Sequence, residues 1–375
     1  MIRPDFFIES LRKEGVSFYA GVPDSLLKNI CAYITDHFDE KNNIITANEG
    51  GAVALAAGYH LSTGNVGCVY MQNSGEGNAI NPLASLTDGD VYRIPLLLLI
   101  GWRGRPGVHD EPQHVKQGKV TTGLLDTMGI GYEVLAKEED KMLEQIGRAM
   151  SSIRQTGTPY ALVIEKDTFE TYVLKNVKED QSQLSREQAI QMVVDSMKDD
   201  DIVVSSTGMI SRELFEYREA KGQGHERDFL TVGSMGHASM IALGVAMQHT
   251  DRRVFCFDGD GAAIMHMGNM AIVAKQSPAN FVHVVFNNGA HDSVGGQPTA
   301  GFDICLPGIA LQCGYRDVIS IERMEDFHVF ADRKNLQGPV LLEIRVCKGN
   351  RKDLGRPTTT PIQNKEVFMK FVHNE

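Results

Sequence analysis

The chain lacks the features that mark several large protein classes. No apolar run approaches the roughly 18 residues needed to cross a membrane, and IPLLLLIG (94–101) is far too short. The opening MIRPDFFIESLRKEG has no apolar core of the signal-peptide kind. The six cysteines (31, 68, 256, 305, 313, 347) are scattered and include no CxxC. The usual spacing of a zinc site or an iron–sulfur cluster is therefore missing, and reduced, mostly buried thiols are the plain reading. Positive charge is also in deficit: 37 Lys and Arg stand against 48 Asp and Glu, a net charge of −11. Such a surface repels nucleic acid, and no basic run overrides it. A cytoplasmic protein with small-molecule partners, neither nucleic acid nor membrane, is expected. An anionic ligand would need a local basic pocket.

What is present is the material of two globular domains. At 375 residues with 42% hydrophobic and 23% charged, the chain can bury two cores. Short β-rich runs alternate with helical patterns in the first half: VSFYAG (16–21), NIITA (43–47), VGCVYM (66–71), PLLLLIG (95–101), GYEVL (131–135) and YALVIE (160–165). The second half repeats the alternation with DIVVSS (201–206), FLTVG (229–233), RVFCFDG (253–259), FVHVVFNN (281–288), DVIS (317–320) and PVLLEIRV (339–346). This predicts an α/β fold of two domains, each a mostly parallel sheet with helices on both faces. The expected bounds are 1–175, a polar linker at 176–184, and 185–375. Ser185 and Gln188 form a capping box that opens the second domain. The last stretch, NRKDLGRPTTTPIQNKEVFMKFV (350–372), reads as an extended tail followed by a short helix.

Ligands of such sheets sit at the carboxyl ends of strands, so the Gly-rich strand exits carry the functional argument. In FDGDGAA (257–263), Gly259 and Gly261 permit a tight turn and close backbone approach. A helix starting near Ala262 would offer free amides suited to phosphate. Asp260 would repel that phosphate unless a cation stood between them. Mg²⁺ does this, taking one or two protein carboxylates plus phosphate oxygens. Asn288, at the end of the next strand, adds a neutral amide oxygen. Either motif alone also reads as an ordinary loop.

Together, GDG followed after 25 residues by NN resembles the thiamine diphosphate signature of the decarboxylase-like enzyme superfamily. The resemblance implies thiamine diphosphate and Mg²⁺ as cofactors, with Asp260, Asn288 and the Ala290 carbonyl as metal ligands. NEGGAVALAAGYH (48–60) is similar to the superfamily segment whose glutamate activates the aminopyrimidine, which falls on Glu49. A first-turn glutamate serving the helix dipole is the alternative. VGSMGHASM (232–240) resembles the segment that props the cofactor in its bent shape, placing Met235 beside Ser234 there. Ser206, Thr207 and Gly208, at another strand exit, suit diphosphate contacts. Because the superfamily's cofactor bridges domains of two subunits, a homodimer or larger is implied.

GVPDS (21–25), QNSGEGNAINPLASL (72–86) and GWRGRPGVHDEPQHVKQG (101–118) resemble the phosphonopyruvate decarboxylase family over essentially the whole chain. Sulfopyruvate decarboxylases are the near relatives, often split into two chains. The implied reaction is loss of CO₂ from 3-phosphonopyruvate, with 3-sulfopyruvate as the alternative substrate. Residues 101–118 read as an irregular lid rather than a helix. Its Arg103, Arg105, Asp110, Glu111 and Gln117, with Arg356 in the tail, are substrate candidates. His109 and His114 are proton-transfer candidates. Asp24 matches the family's active-site acid or simply starts the helix after Pro23. A ligating synthase would need a middle domain the length leaves no room for. An oxidative enzyme would need cluster cysteines. A non-catalytic protein of the same fold would have little use for Glu49, Asp260 and Asn288 together.

Overall fold

The computed structural model describes residues 1–176, 182–331 and 337–373. Residues 177–181 of the expected linker therefore lie outside the described residues. The chain divides into two compact units, Met1–Lys178 with Ser293–Gln297, and Glu179–Asp292 with Pro298–Glu375.

The first unit holds helix α1 (Pro4–Lys13), strand β1 (Tyr19–Gly21), α2 (Lys28–His37), β2 (Asn43–Ile45), α3 (Glu49–Thr63), β3 (Gly67–Gln72) and α4 (Glu76–Pro82). There follow β4 (Leu96–Gly101), α5 (Pro112–Thr127), β5 (Gly131–Val134), α6 (Glu139–Thr156) and β6 (Tyr160–Ile164). Its six strands lie in the order β2-β1-β3-β4-β6-β5, all parallel. Alternate residues of β3 and β4 feed two separate cores: Cys68, Tyr70, Leu97 and Leu99 enter one, and Val69, Met71, Leu96 and Leu98 the other. Burial on both faces explains why these strands read as continuous apolar runs. Each fully buried leucine contributes about 1.5–3 kcal/mol.

The second unit comprises α7 (Arg186–Asp195), β7 (Ile202–Ser205), α8 (Met209–Ala220), β8 (Asp228–Leu230), α9 (Ala238–Gln248), β9 (Val254–Gly259), α10 (Asp260–Met265), α11 (Asn269–Gln276) and β10 (Phe281–Asn287). Two-residue strands β11 (Ala290–His291) and β12 (Gln297–Pro298) come next. They are followed by α12 (Leu306–Cys313), β13 (Asp317–Ile321), α13 (His328–Ala331), β14 (Val340–Arg345) and α14 (Pro361–His373). The Ser185–Gln188 capping box is formed. The large sheet runs β13-β14-β10-β9-β7-β8, again parallel. Read from the other edge, and counting only the strands of that sheet, this is the wiring of the first unit: second, first, third, fourth, sixth, fifth. The chain carries one topology twice, although no internal repeat is visible in the sequence. No described helix is long and apolar enough to cross a membrane.

Candidate active site

In each sheet the order reverses between the first and third strands, so the exits of β1, β3 and β4, and of β7, β9 and β10, are where a ligand is expected.

In the first unit, Asn48 caps α3 by accepting from the Gly51 amide at 2.9 Å. That fixes Glu49 as the first helical residue, and it is 5% exposed. Asn78 of α4 donates from Nδ2 to Glu49 Oε2 at 2.7 Å. A Cβ on Gly75 would collide with the Glu49 carboxyl group, and one on Gly50 would press the Asn78 carbonyl at 2.7 Å. Two glycines thus let α3 and α4 close on the carboxylate. Oε1 carries no hydrogen bond among the described residues.

The exits of β1 and β4 form a second group. Asp24 is fully buried, accepting from Gln72 Nε2 at 2.5 Å and from the Leu26 amide at 2.9 Å. Gly101 lacks a side chain where Asp24 Oδ2 fills the space. Arg103 donates to Ser25 Oγ at 2.7 Å and grips Asp110, Nε to Oδ2 at 2.8 Å. Burial pushes the Asp110 carboxyl up, but the bonds from Arg103 and the Gly104 amide outweigh it and hold it below the usual range. The same bond raises Arg103. His114 is buried, and its Nδ1 has no hydrogen-bond partner among the described residues. Burial first, then the charge of Arg103, lowers its pKa, so the imidazole is neutral at pH 7.

The structure corrects several sequence expectations here. Residues 112–118 are not irregular: Pro112 sits at the first turn of α5, where its missing N–H costs nothing. Gly104 and Gly118 are glycines because each packs against the other segment's backbone. Arg103 is not a free anion-binding cation, since Asp110 neutralises it. Arg105 turns away to pair with Glu165 and lies over Trp102. His109 is exposed and, among the described residues, makes no hydrogen bond or ion pair to Asp24 or His114. Glu111 is half-buried as the residue capping α5, and its amide donates to Asp110 Oδ1 at 2.8 Å. Gln117 is half-buried on α5, its carbonyl accepting from Thr121. Ser25, Gln72 and Asn78 are the site neighbours that sequence reasoning missed. All three act through contacts between distant segments, which local patterns do not report.

In the second unit, Asp260 begins α10 directly after β9 and is 2% exposed. Burial raises its carboxyl to about 6, against bonds from Thr299 Oγ1 and the backbone of Asn288 and Gly261. No cationic side chain pairs with it among the described residues. A buried carboxylate without a cation is what a metal ion would satisfy. The two asparagines divide their work. Asn287 is consumed internally, donating to the Gly301 carbonyl and to Glu343 Oε1, both at 2.7 Å. Among the described residues, Asn288 Oδ1 accepts only from the local Ala290 amide, at 3.1 Å. With Ala290 buried beside it, the donor set of carboxylate, amide oxygen and carbonyl fits Mg²⁺.

Gly261 is crowded: a Cβ there would lie 3.2 Å from the His291 ring and 3.4 Å from Met235 Cε, so Met235 does reach this site. Ser234 takes a left-handed φ of 50°. Ala262 is buried. Gly259 is not crowded, its nearest contact being Ile210 at 3.7 Å. Ser206 and Thr207 lie at the β7 exit, where Thr207 Oγ1 accepts from the Gly233 amide at 3.1 Å. Gly208 follows with φ 105°. Arg356 is exposed in the tail, next to Gly355, whose amide bonds Glu216.

Residues 4–128 match the thiamine pyrophosphate enzyme N-terminal TPP binding domain, and residues 206–344 the C-terminal TPP binding domain. Over 99% of this chain and 95% of the relative, 34% of residues are identical to phosphonopyruvate decarboxylase of Streptomyces viridochromogenes. The chain belongs to the phosphonopyruvate decarboxylase family. A second member, from Streptomyces hygroscopicus, is 33% identical over 99% of this chain and 94% of its own. Sulfopyruvate decarboxylase of Methanosarcina acetivorans is 26% identical, with 85% and 84% covered. Family membership makes this chain a thiamine diphosphate-dependent carbon–carbon lyase.

Proposed function

We propose that the protein decarboxylates 3-phosphonopyruvate to phosphonoacetaldehyde and CO₂ with thiamine diphosphate and Mg²⁺. The observation that carries this reading is the 34% identity to a phosphonopyruvate decarboxylase along 99% of the chain. The sulfopyruvate decarboxylase is both less similar and less completely covered.

Thiamine diphosphate, when bound, supplies a sink for the electron pair left behind as CO₂ departs. The rest falls to this chain's residues. Asp260, Asn288 and the Ala290 carbonyl would hold Mg²⁺ against the diphosphate, with Ser206, Thr207 and Gly208 nearby. Met235, beside Gly261, would pack against the cofactor. Glu49, held through Oε2 by Asn78, keeps Oε1 to share a proton with the aminopyrimidine. Carboxylate loss leaves a carbon that must take up one proton. Asp24 and neutral His114 are the buried groups at the β1 and β4 exits suited to hold and deliver it. The glutamate and the metal ligands of one working site come from two copies of the chain, which makes the active form at least a dimer.

The test is CO₂ release from phosphonopyruvate and sulfopyruvate in parallel, with and without thiamine diphosphate and Mg²⁺. Cofactor-dependent preference for the phosphonate is the expected result. Preference for the sulfonate would transfer the same machinery to the other substrate, and release from neither would overturn the reading.

A further inference from the structure

Glu76 has no place in the machinery described so far, yet its situation is unusual. It is 4% exposed at the start of α4, and neither carboxyl oxygen has a hydrogen-bond partner among the described residues. It faces an apolar cavity lined chiefly by Met71, Leu83, Leu98, Ile100, Leu124 and Met128. These residues come from α4 and its following turn, β3, β4 and α5, and none of the cavity's other lining residues is titratable. Thr121 is the one polar side chain felt by Glu76. Its hydroxyl donates to the Gln117 carbonyl at 2.8 Å, and its pull toward the ionised form is outweighed by burial. Such surroundings suit a protonated acid and oppose a carboxylate.

The position matters because α4 is the arm that holds Glu49. Gly75, immediately before Glu76, packs on the Glu49 carboxyl group, and Asn78, two residues after it, bonds Oε2. An ionised Glu76 must draw in water or leave the cavity, and either displaces both contacts.

We propose that Glu76 is a positioning residue that must stay protonated for α4 to hold Glu49 in its working place, so that alkaline ionisation of Glu76 switches the site off. The inference rests on the thiamine diphosphate reading of Glu49. Burial raises the Glu76 carboxyl to about 8, which sets the pH at which this happens. The charged side chains and histidines of the packed helices are Glu49 and His60 on α3 and His114, Lys116, Lys119 and Asp126 on α5. None of them contributes to holding that proton, which burial alone retains.

Two measurements test it without relying on the substrate. In the cofactor-free protein, an infrared titration between pH 6.5 and 9.5 should show a protonated carboxyl band lost near pH 8 in wild type and absent in Glu76→Gln. In protein loaded with thiamine diphosphate and Mg²⁺, exchange of the cofactor C2 proton with deuterated water reports Glu49 directly. Wild type and Glu76→Gln should match at pH 6.5. By pH 9, one unit above the transition, wild type should lag about tenfold. Glu76→Leu serves equally if the glutamine variant does not fold. Absence of the band, or parallel exchange profiles for wild type and variant, overturns the proposal. Exchange that does not depend on Glu49 at any pH, judged by Glu49→Gln, overturns both it and the role of Glu49. A correct Glu76 result with no CO₂ from phosphonopyruvate would overturn only the substrate.

Discussion

At the scale of single residues, Glu49 and Asp260 are both buried carboxylates, and their partners separate their roles. Glu49 keeps one oxygen unbonded and the other fixed by an amide. Glu49→Gln preserves shape and removes the proton exchange. It should leave cofactor affinity near wild type by calorimetry while lowering kcat by about 10²–10⁴; unchanged turnover would contradict the role. Asp260 has its carboxyl raised to about 6 by burial in the metal-free protein. Below that pH a proton competes with the metal, so apparent Mg²⁺ affinity should fall about tenfold per pH unit as pH drops below 6. Asp260→Ala should weaken Mg²⁺ and cofactor together, and a titration that shows either binding normally would refute the ligand assignment. These residues were legible in the sequence because each sits in a glycine-marked strand exit whose chemistry is local. Glu76 was not. A glutamate opening a helix reads as a partner of the helix dipole, and only the packing of α5 and β4 over it reveals an apolar surround.

At the scale of elements, the strands were readable from their β-branched and leucine runs, whereas residues 101–118 misled. Their glycines and prolines look like loop chemistry. In the structure Pro112 starts a helix, while Gly104 and Gly118 permit backbone contact between the preceding segment and α5. The Arg103–Asp110 pair, with side chains only 20% and 14% exposed, ties that segment to β4 and, through Ser25, to the residue next to Asp24. Charge-assisted bonds of this kind contribute about 1.5–3 kcal/mol. Asp110→Asn should therefore lower the unfolding temperature by several degrees and, by loosening the segment beside Asp24, lower kcat/KM by about ten- to a hundredfold. Unaltered steady-state kinetics would show the segment to be ordered without the pair. A comparable tie lies behind the proposed metal ligands. His283 on β10 bonds Asp258 of β9 at 3.0 Å and Tyr315 at 3.3 Å, joining the two strands from whose ends Asn288 and Asp260 project.

At the scale of the whole molecule, two α/β units could be anticipated from alternation, but their identical wiring could not, because topology depends on pairings between strands far apart in the chain. If each working site draws Glu49 from one copy and Asp260 from another, two inactive variants complement each other. Mixing Glu49→Gln with Asp260→Ala under conditions that exchange subunits should restore about a quarter of wild-type activity. Half the dimers would then carry one intact and one doubly defective site. Zero recovery after proven exchange would place both residues of a site on one chain.

The repeated wiring also bears on how the protein is made. All six strands of the first sheet lie within the first 164 residues, with two cores of their own. At ribosomal rates of about 5–20 residues per second, the remaining chain emerges over roughly ten to forty seconds. That is long enough for the first sheet to close before its counterpart exists. Once the chain has passed Lys178, Ser293–Gln297, the five residues that join the first unit from the second half, would still be awaited. The early-folded unit is therefore finished last, by a segment synthesised after β10.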